Sequence, residues 1–213
     1  DSMLDGFRHK KENIMLGTQM VAKGHDFPGV TLVGVIAADC GLNGADYRAS
    51  ERTFSLITQV IGRAGRADKP GRAIIQTSSP DSRTIRLAAK QDYKAFYEDE
   101  IAVRHALVFP PFCDIASVTF SSDDEKALNN VVSQSCTIIR DLLKNEYSDI
   151  QISLFGPREA EIYKLREQLR MKIVIKCKAN RRTREFLSDL LAESGKLGGN
   201  TVTVGIDMNP NEI

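Results

Sequence analysis

Val30-Thr31-Leu32-Val33-Gly34-Val35-Ile36-Ala37 is an almost unbroken apolar run, dominated by β-branched side chains. It does not alternate with polar residues, so it reads as a strand covered on both faces, the pattern of a parallel sheet. A shorter run, Ile14-Met15-Leu16, precedes it and reads as a second strand; Arg72–Thr77 reads as a third. Between them a helix is predicted over Glu51–Ile61. A further helix is predicted from Ser82 to about Leu107, where Ile85, Ala88, Ala89, Tyr93, Phe96, Tyr97, Ile101 and Arg104 recur at helical spacing. Asp81 or Ser82, behind Pro80, suits its N-cap. Strand and helix signals in alternation imply a parallel α/β layer.

Two segments carry chemistry. Gln59-Val60-Ile61-Gly62-Arg63-Ala64-Gly65-Arg66 places two arginines three residues apart among small residues. On a helix they would form one cationic edge able to close on a polyphosphate, a task suited to the planar, permanently charged guanidinium. A solvated basic helix end is the plainer account of that run taken alone. Upstream lies Leu16-Gly17-Thr18-Gln19-Met20-Val21-Ala22-Lys23-Gly24-His25-Asp26-Phe27-Pro28. A Gly-Thr turn leaving a strand can set backbone N–H groups and a hydroxyl against a phosphate. Asp26, behind Gly24, can accept from a ribose hydroxyl or help position magnesium. His25, a lone histidine in a turn, reads as a surface or hydrogen-bonding residue. Asp46-Tyr47-Arg48 and Glu51-Arg52 could couple DNA to nucleotide, or serve as charges around a Ser50 helix cap.

The two segments, in this order and spacing, resemble motifs V and VI of the superfamily 2 helicases, on the second of two RecA-like motor lobes. The runs GTQMVAKGHDFPGVTLVGVIAAD, ADYRASERTFSLITQVIGRAGRA and PGRAIIQTSSP, then Arg104 through Pro110-Pro111-Phe112, are similar to the bacterial PriA (primosomal protein N′) family of replication-restart helicases. The likeness extends more loosely to Leu154-Phe155-Gly156-Pro157, Leu169-Arg170 and Gly205-Ile206-Asp207-Met208-Asn209-Pro210. Ala45 departs from the proline frequent before the Asp-aromatic-Arg triplet. The resemblance implies an ATP- and Mg2+-dependent DNA helicase moving 3′ to 5′ on forked and single-stranded DNA. It also implies contact with single-strand DNA-binding protein and other primosome proteins. It assigns Arg63 and Arg66 as arginine fingers and Gln59 to the γ-phosphate or the attacking water. Gly24 and Asp26 would face the nucleotide; Gly17, Thr18, Gln19 and Lys23 would face the DNA backbone. A RecG-like translocase shares Gln-x-x-Gly-Arg-x-Gly-Arg but not the GTQMVAKGHDFP run. A pure DNA- or partner-binding module is the other alternative.

No G-x-x-x-x-G-K-[ST] loop and no DExH-type segment occurs in the chain. Both belong to the other motor lobe, so the chain reads as the C-terminal part of a larger enzyme, inactive as an ATPase by itself. Cys40, Cys113, Cys136 and Cys177 lie dozens of residues apart without a C-x-x-C pair. They suit buried thiols in a reducing, cytosolic compartment rather than a zinc site. Zinc is expected only in the family's cysteine cluster, which this chain lacks. The formal net charge of +1 announces no global basic field, and no apolar run approaches the roughly 18 residues of a membrane span.

The expected division is residues 1–111, the C-terminal part of the helicase lobe, and residues 112–213, a small α+β domain. In the latter Ala116, Val118 and Phe120 alternate with polar residues as a strand. Asp123 or Asp124 can cap a helix with Leu128, Val131, Val132, Ser135, Ile138, Ile139 and Leu142 on one face. Strands over Ile150–Phe155, Lys172–Lys178 and Thr201–Asp207, with a helix bearing Phe186, Leu187, Leu190 and Leu191, complete a β-α-β-β-α-β order. That order predicts a split βαβ, ferredoxin-like fold. Between Arg158 and Glu185 stand ten Lys/Arg against four Glu, a local charge of +6. Ile173, Ile175 and Cys177 should face inward, with Lys172, Val174, Lys176 and Lys178 outward. Arg170, Lys172, Lys176, Lys178, Arg181 and Arg182 are the candidate contacts to a nucleic-acid backbone. Lysines guarding an edge strand against aggregation are the equal alternative.

Overall fold

Parallel strands cannot be joined by a tight turn, so a crossover must separate them. A computed structural model of the chain describes residues 5–7, 9, 11–18, 29–42, 46–64 and 71–211, and shows such a crossover. The chain divides into two units, Asp1–Val103 and Arg104–Ile213. In the first, β1 (Leu32–Val35) pairs in parallel with β2 (Arg72–Ile75), Leu32 opposite Arg72 and Val35 opposite Ile75. Between them runs α1 (Ala49–Ile61), which buries Ala49, Thr53, Phe54 and Ile57 at helical spacing. Phe54 stacks on Phe96 with ring centroids 4.1 Å apart. Ala38, Ile57, Ile85 and Ala88 close the same small core.

Three expectations for this unit are corrected. Ile14–Leu16 is not a strand: it joins no ladder among the described residues, and Ile14 and Leu16 are exposed. An extended segment without a ladder partner has nothing to hold it as a strand. β1 is also not buried on both faces, for Leu32 and Ile36 are exposed, as is Ile74 on β2. Among the described residues this sheet has only two strands and one covered face. The helix expected from Ser82 to Leu107 is two helices, α2 (Arg83–Ala89) and α3 (Tyr93–Ala106). Gln91 adopts a left-handed φ of 56° at the break, and the Asp92 carboxylate restarts the helix by accepting from the Ala95 N–H at 3.1 Å.

The second unit follows β3 (Asp114–Ser122), α4 (Glu125–Lys144), β4 (Ser153–Leu165), β5 (Gln168–Cys177), α5 (Arg181–Gly198) and β6 (Thr203–Met208). The strand order β4-β5-β3-β6 is antiparallel throughout, the split βαβ order. Asp124 caps α4 by accepting from the Lys126 and Ala127 N–H groups, and Asn180 caps α5 by accepting from the Thr183 N–H. Ala116 opposite Ile175 and Val118 opposite Ile173 present one apolar sheet face. Leu128, Val131, Val132 and Ile139 of α4 and Phe186, Leu187 and Leu190 of α5 share its core.

β4 is longer than Ile150–Phe155, the strand expected from sequence. Gly156-Pro157 signals a break, yet β4 is an edge strand, where proline can sit without costing a ladder bond. The register shifts between Phe155 and Arg158, around that pair. β4 turns into β5 through Arg166 and Glu167, at φ 51° and 64°, a two-residue loop in the left-handed region that hairpins favour.

Side chains also fasten the strand ends. The Asp114 carboxylate accepts from Asn209 Nδ2 at 3.0 Å and from the Ala179 N–H at 2.8 Å, while Asn209 Oδ1 accepts from the Ile115 N–H at 2.9 Å. β3 is thereby tied to the chain following β5 and β6. The Asn209 amide, then the Ala179 N–H, holds the Asp114 carboxyl below its ordinary pKa. A depressed carboxyl stabilises the fold above its unfolded pKa and loses that contribution as pH falls through the folded value.

Two predictions follow from these contacts. Asp114→Ala lowers the stability of the second unit by about 1–2 kcal/mol at pH 7, chiefly by leaving the part-buried Ala179 N–H without its acceptor. In urea titrations that gap closes below the ordinary carboxylate range; a gap that persists there contradicts the account. At Gly41 an added Cβ would lie 2.7 Å from Thr53 Oγ1, on a buried, stiff side chain. Gly41→Ala therefore costs about 1–3 kcal/mol by overpacking. Adding Thr53→Ala should recover most of it, and additive losses in that double-mutant cycle would show that the two sites do not touch.

Candidate nucleotide and nucleic-acid interface

The start of α1 is set by a buried carboxylate. Asp46, 6% exposed, accepts from the Arg48 N–H at 2.9 Å and from the Arg52 guanidinium at 2.7 Å. This anchor, rather than Ser50, organises the Asp46-Tyr47-Arg48 triplet, with the Arg48 guanidinium 5.0 Å from the Tyr47 ring centroid. Sequence reasoning left the role of Asp46 open because a carboxylate before a helix looks the same whether it caps, pairs or binds.

At the other end α1 stops at Ile61, with Gly62 as its C-cap. Gln59 lies in the last turn and is exposed. Arg63 is not on the helix, as the sequence had suggested, but in the following turn, where its N–H bonds the Val60 carbonyl at 3.1 Å. The helix ends at Ile61, the end predicted for it, so Arg63 lies two residues beyond its last turn. Arg63 is half-buried. Gly17 and Thr18 are exposed and lie in no regular element. Arg66, Gln19, Lys23, Gly24, His25, Asp26 and Ala45 lie outside the described residues.

Where the parallel strands end, Asp39 after β1 accepts hydrogen bonds from the N–H and hydroxyl of Ser78 after β2. The Ser78 hydroxyl, then Thr77 and the Ser78 N–H, holds the Asp39 carboxyl down at about 2. Asp39 is therefore charged at any physiological pH. Among the described residues no group of three His, Cys, Asp or Glu stands close enough to hold a metal ion.

The basic residues of the second unit divide by environment. Lys172 is corrected: it is 7% exposed, not outward into solvent. Its neighbours on the same face, Ser117 and Val174, are buried too, so alternation identified the face but not its covering. Lys176 is half-buried, its ammonium 3.7 Å from the Phe109 ring centroid and donating to the Leu107 carbonyl at 2.8 Å. Arg182 pairs with Asp149 at 3.3 Å and Glu185 at 3.5 Å, donates to the Glu146 carbonyl, and lies 4.4 Å over the Tyr147 ring. Tyr147 donates to Asp189, and that bond leads the effects that raise its pKa to about 12. This network fastens α5 to the chain after α4. Arg170 is half-buried; Lys178 and Arg181 are exposed, Arg181 pairing one turn along with Glu185. Arg158, exposed and directly opposite Lys172, joins the accessible set. The sequence counted it in the basic stretch, but only the hairpin register places it opposite Lys172.

Residues 105–211 match the Primosomal protein N C-terminal domain, and residues 1–68 match the Helicase conserved C-terminal domain. Replication restart protein PriA of Bacillus subtilis is 40% identical over 99% of this chain and 26% of its own length. The protein of that name from Treponema pallidum is 33% identical over 99% of the chain and 31% of its own length. That from Synechocystis is 34% identical over 82% and 20%. The chain thus spans between a fifth and a third of the length of these relatives. With both halves matched, and the Gln-x-x-Gly-Arg-x-Gly-Arg run ending its crossover helix, the chain belongs to the PriA family of replication restart proteins.

Proposed function

We propose that this chain supplies the C-terminal half of the motor, and the adjoining C-terminal domain, of an ATP-dependent 3′-to-5′ DNA helicase. The enzyme would act at stalled or branched replication forks in the cytoplasm. The observation that carries the reading is the placement of Gln59 and Arg63 at the C-terminal end of α1, within the helicase run of a PriA-family chain. An exposed amide and a guanidinium four residues on fit the terminal phosphate of ATP. The other lobe would supply the phosphate loop and the magnesium carboxylates. Residues 1–111 would form the motor part and 112–213 the DNA-binding part.

In this scheme Arg63, with Arg66, neutralises charge developing on the transferred phosphoryl group. Gln59 orients the attacking water or the γ-phosphate. Gly24 and Asp26 hold the nucleoside side; Gly17, Thr18, Gln19 and Lys23 grip the DNA backbone, so closure around ATP moves the strand. Single-strand DNA-binding protein and other primosome components would be its partners. The DNA surface of the second unit would be drawn from Arg158 and Lys178, which are exposed, with half-buried Arg170 and with Arg181, exposed but paired with Glu185. Family membership favours this reading over a RecG-like translocase.

Arg63→Ala in the full-length enzyme should lower ATP turnover by roughly 10³–10⁵ while leaving the affinity for single-stranded DNA within a factor of two or three. Undiminished turnover removes the finger role. For the second unit, Lys178→Ala with Arg181→Ala should flatten the slope of log affinity against log salt by about 1.4–1.8. Arg182→Ala should instead lower stability by about 1–2 kcal/mol and leave that slope alone. The reverse pattern would place the DNA on the Arg182 side.

A further inference from the structure

We propose that Lys176 is a clasp that fixes the segment Leu107–Cys113 to the sheet of the second unit, and is not a nucleic-acid contact. The segment follows α3 and holds the Pro110-Pro111 pair, where the expected division of the chain falls. Local hydrogen bonds order it. The Phe109 N–H bonds the Arg104 carbonyl at 2.8 Å, and the Phe112 N–H bonds the Phe109 carbonyl at 2.9 Å. Arg104 donates to the Pro110 carbonyl at 3.3 Å, the Cys113 thiol donates to the Val108 carbonyl at 3.2 Å, and His105 meets the Phe112 ring edge-on at 4.8 Å.

Those bonds are local to the segment. Lys176 joins it to β5. Its ammonium donates to the Leu107 carbonyl at 2.8 Å, 3.7 Å from the Phe109 centroid and 5.1 Å from that of Phe155 on β4. Leu107 directly follows the last residue of α3, where carbonyls lack helical partners, so a lysine from a distant strand caps the helix end. Two ring faces and a carbonyl surround the charge, an arrangement that cation–π attraction and a charge-assisted hydrogen bond both favour. A phosphate would have to compete for this ammonium with the carbonyl and the two rings that already surround it. The Primosomal protein N C-terminal domain match begins at residue 105, so the clasp closes over the entry of that domain.

The test compares hydrogen exchange in the intact protein for wild type, Lys176→Met and Lys176→Arg, with the DNA salt slope measured alongside. Lys176→Met should speed exchange at the Phe109 and Phe112 amides on the order of tenfold. Amides in the core of α4 should hold, Lys176→Arg should restore most of the protection, and the salt slope should not change. Unchanged exchange over residues 104–113, an increase spread evenly over the unit, or a slope reduced by about 0.7–0.9 would each overturn the clasp. The slope rests on the DNA-binding reading above, whereas exchange does not. If the wild type binds no DNA, exchange alone decides.

Discussion

Parallel pairing of β1 with β2 is the constraint from which the candidate nucleotide site follows. Two parallel strands require a crossover, and here the crossover is α1, seated on the sheet by Phe54 and Ile57. The buried Asp46 carboxylate fixes where that helix begins, and Gly62 fixes where it ends. Gln59 therefore leaves the fold from the last turn of α1, and Arg63 from the turn that follows it. Asp39 and Ser78 hold the far ends of the same strands together, so the pairing is secured along its length.

The second unit solves a different problem with a different sheet. Its four antiparallel strands carry a helix pair on one face, and the strand ends are fastened by Asp114 and Asn209. Its surplus of positive charge is spent in three ways: some cations fasten structure, as Arg182 and Lys176 do; Lys172 is buried; the remainder stay accessible. A charge count alone would assign all of them to DNA. Since an exposed, unengaged cation contributes to a salt-dependent backbone affinity and a clasped one does not, the effective footprint is smaller than the count.

Much of this was legible from residue patterns. Helical spacing found α4 and most of the buried face of α5, though Leu191 is exposed; of the two caps left open for α4, Asp123 or Asp124, it is Asp124 that fills the role. The break at Gln91 was hidden because Ile85, Ala88 and Phe96 keep nearly the same helical phase across it; only a local carboxylate bond at Asp92 restarts the turn. β4 was read too short because Gly-Pro punctuates a chain whether or not the strand is an edge. The environments of Lys172 and Lys176 were not legible at all. A period of two says which face a side chain shares, but what covers that face is decided by segments distant in sequence. The candidate site was legible as a motif, and so was the end of its helix at Ile61; the cationic helix edge expected of Arg63 was not, because Arg63 lies in the turn beyond it.

The central claim is that Arg63 meets a nucleotide held chiefly by another lobe of the full-length enzyme. It is tested most directly by a crystal structure of that enzyme with ADP–aluminium fluoride, which mimics the phosphoryl group in transfer. The account places the Arg63 guanidinium within hydrogen-bonding distance of the fluoride ligands, with the Gln59 amide beside the in-line water. A closed, nucleotide-filled cleft in which Arg63 is instead paired with a carboxylate of its own unit, turned away from the fluoride, would contradict it.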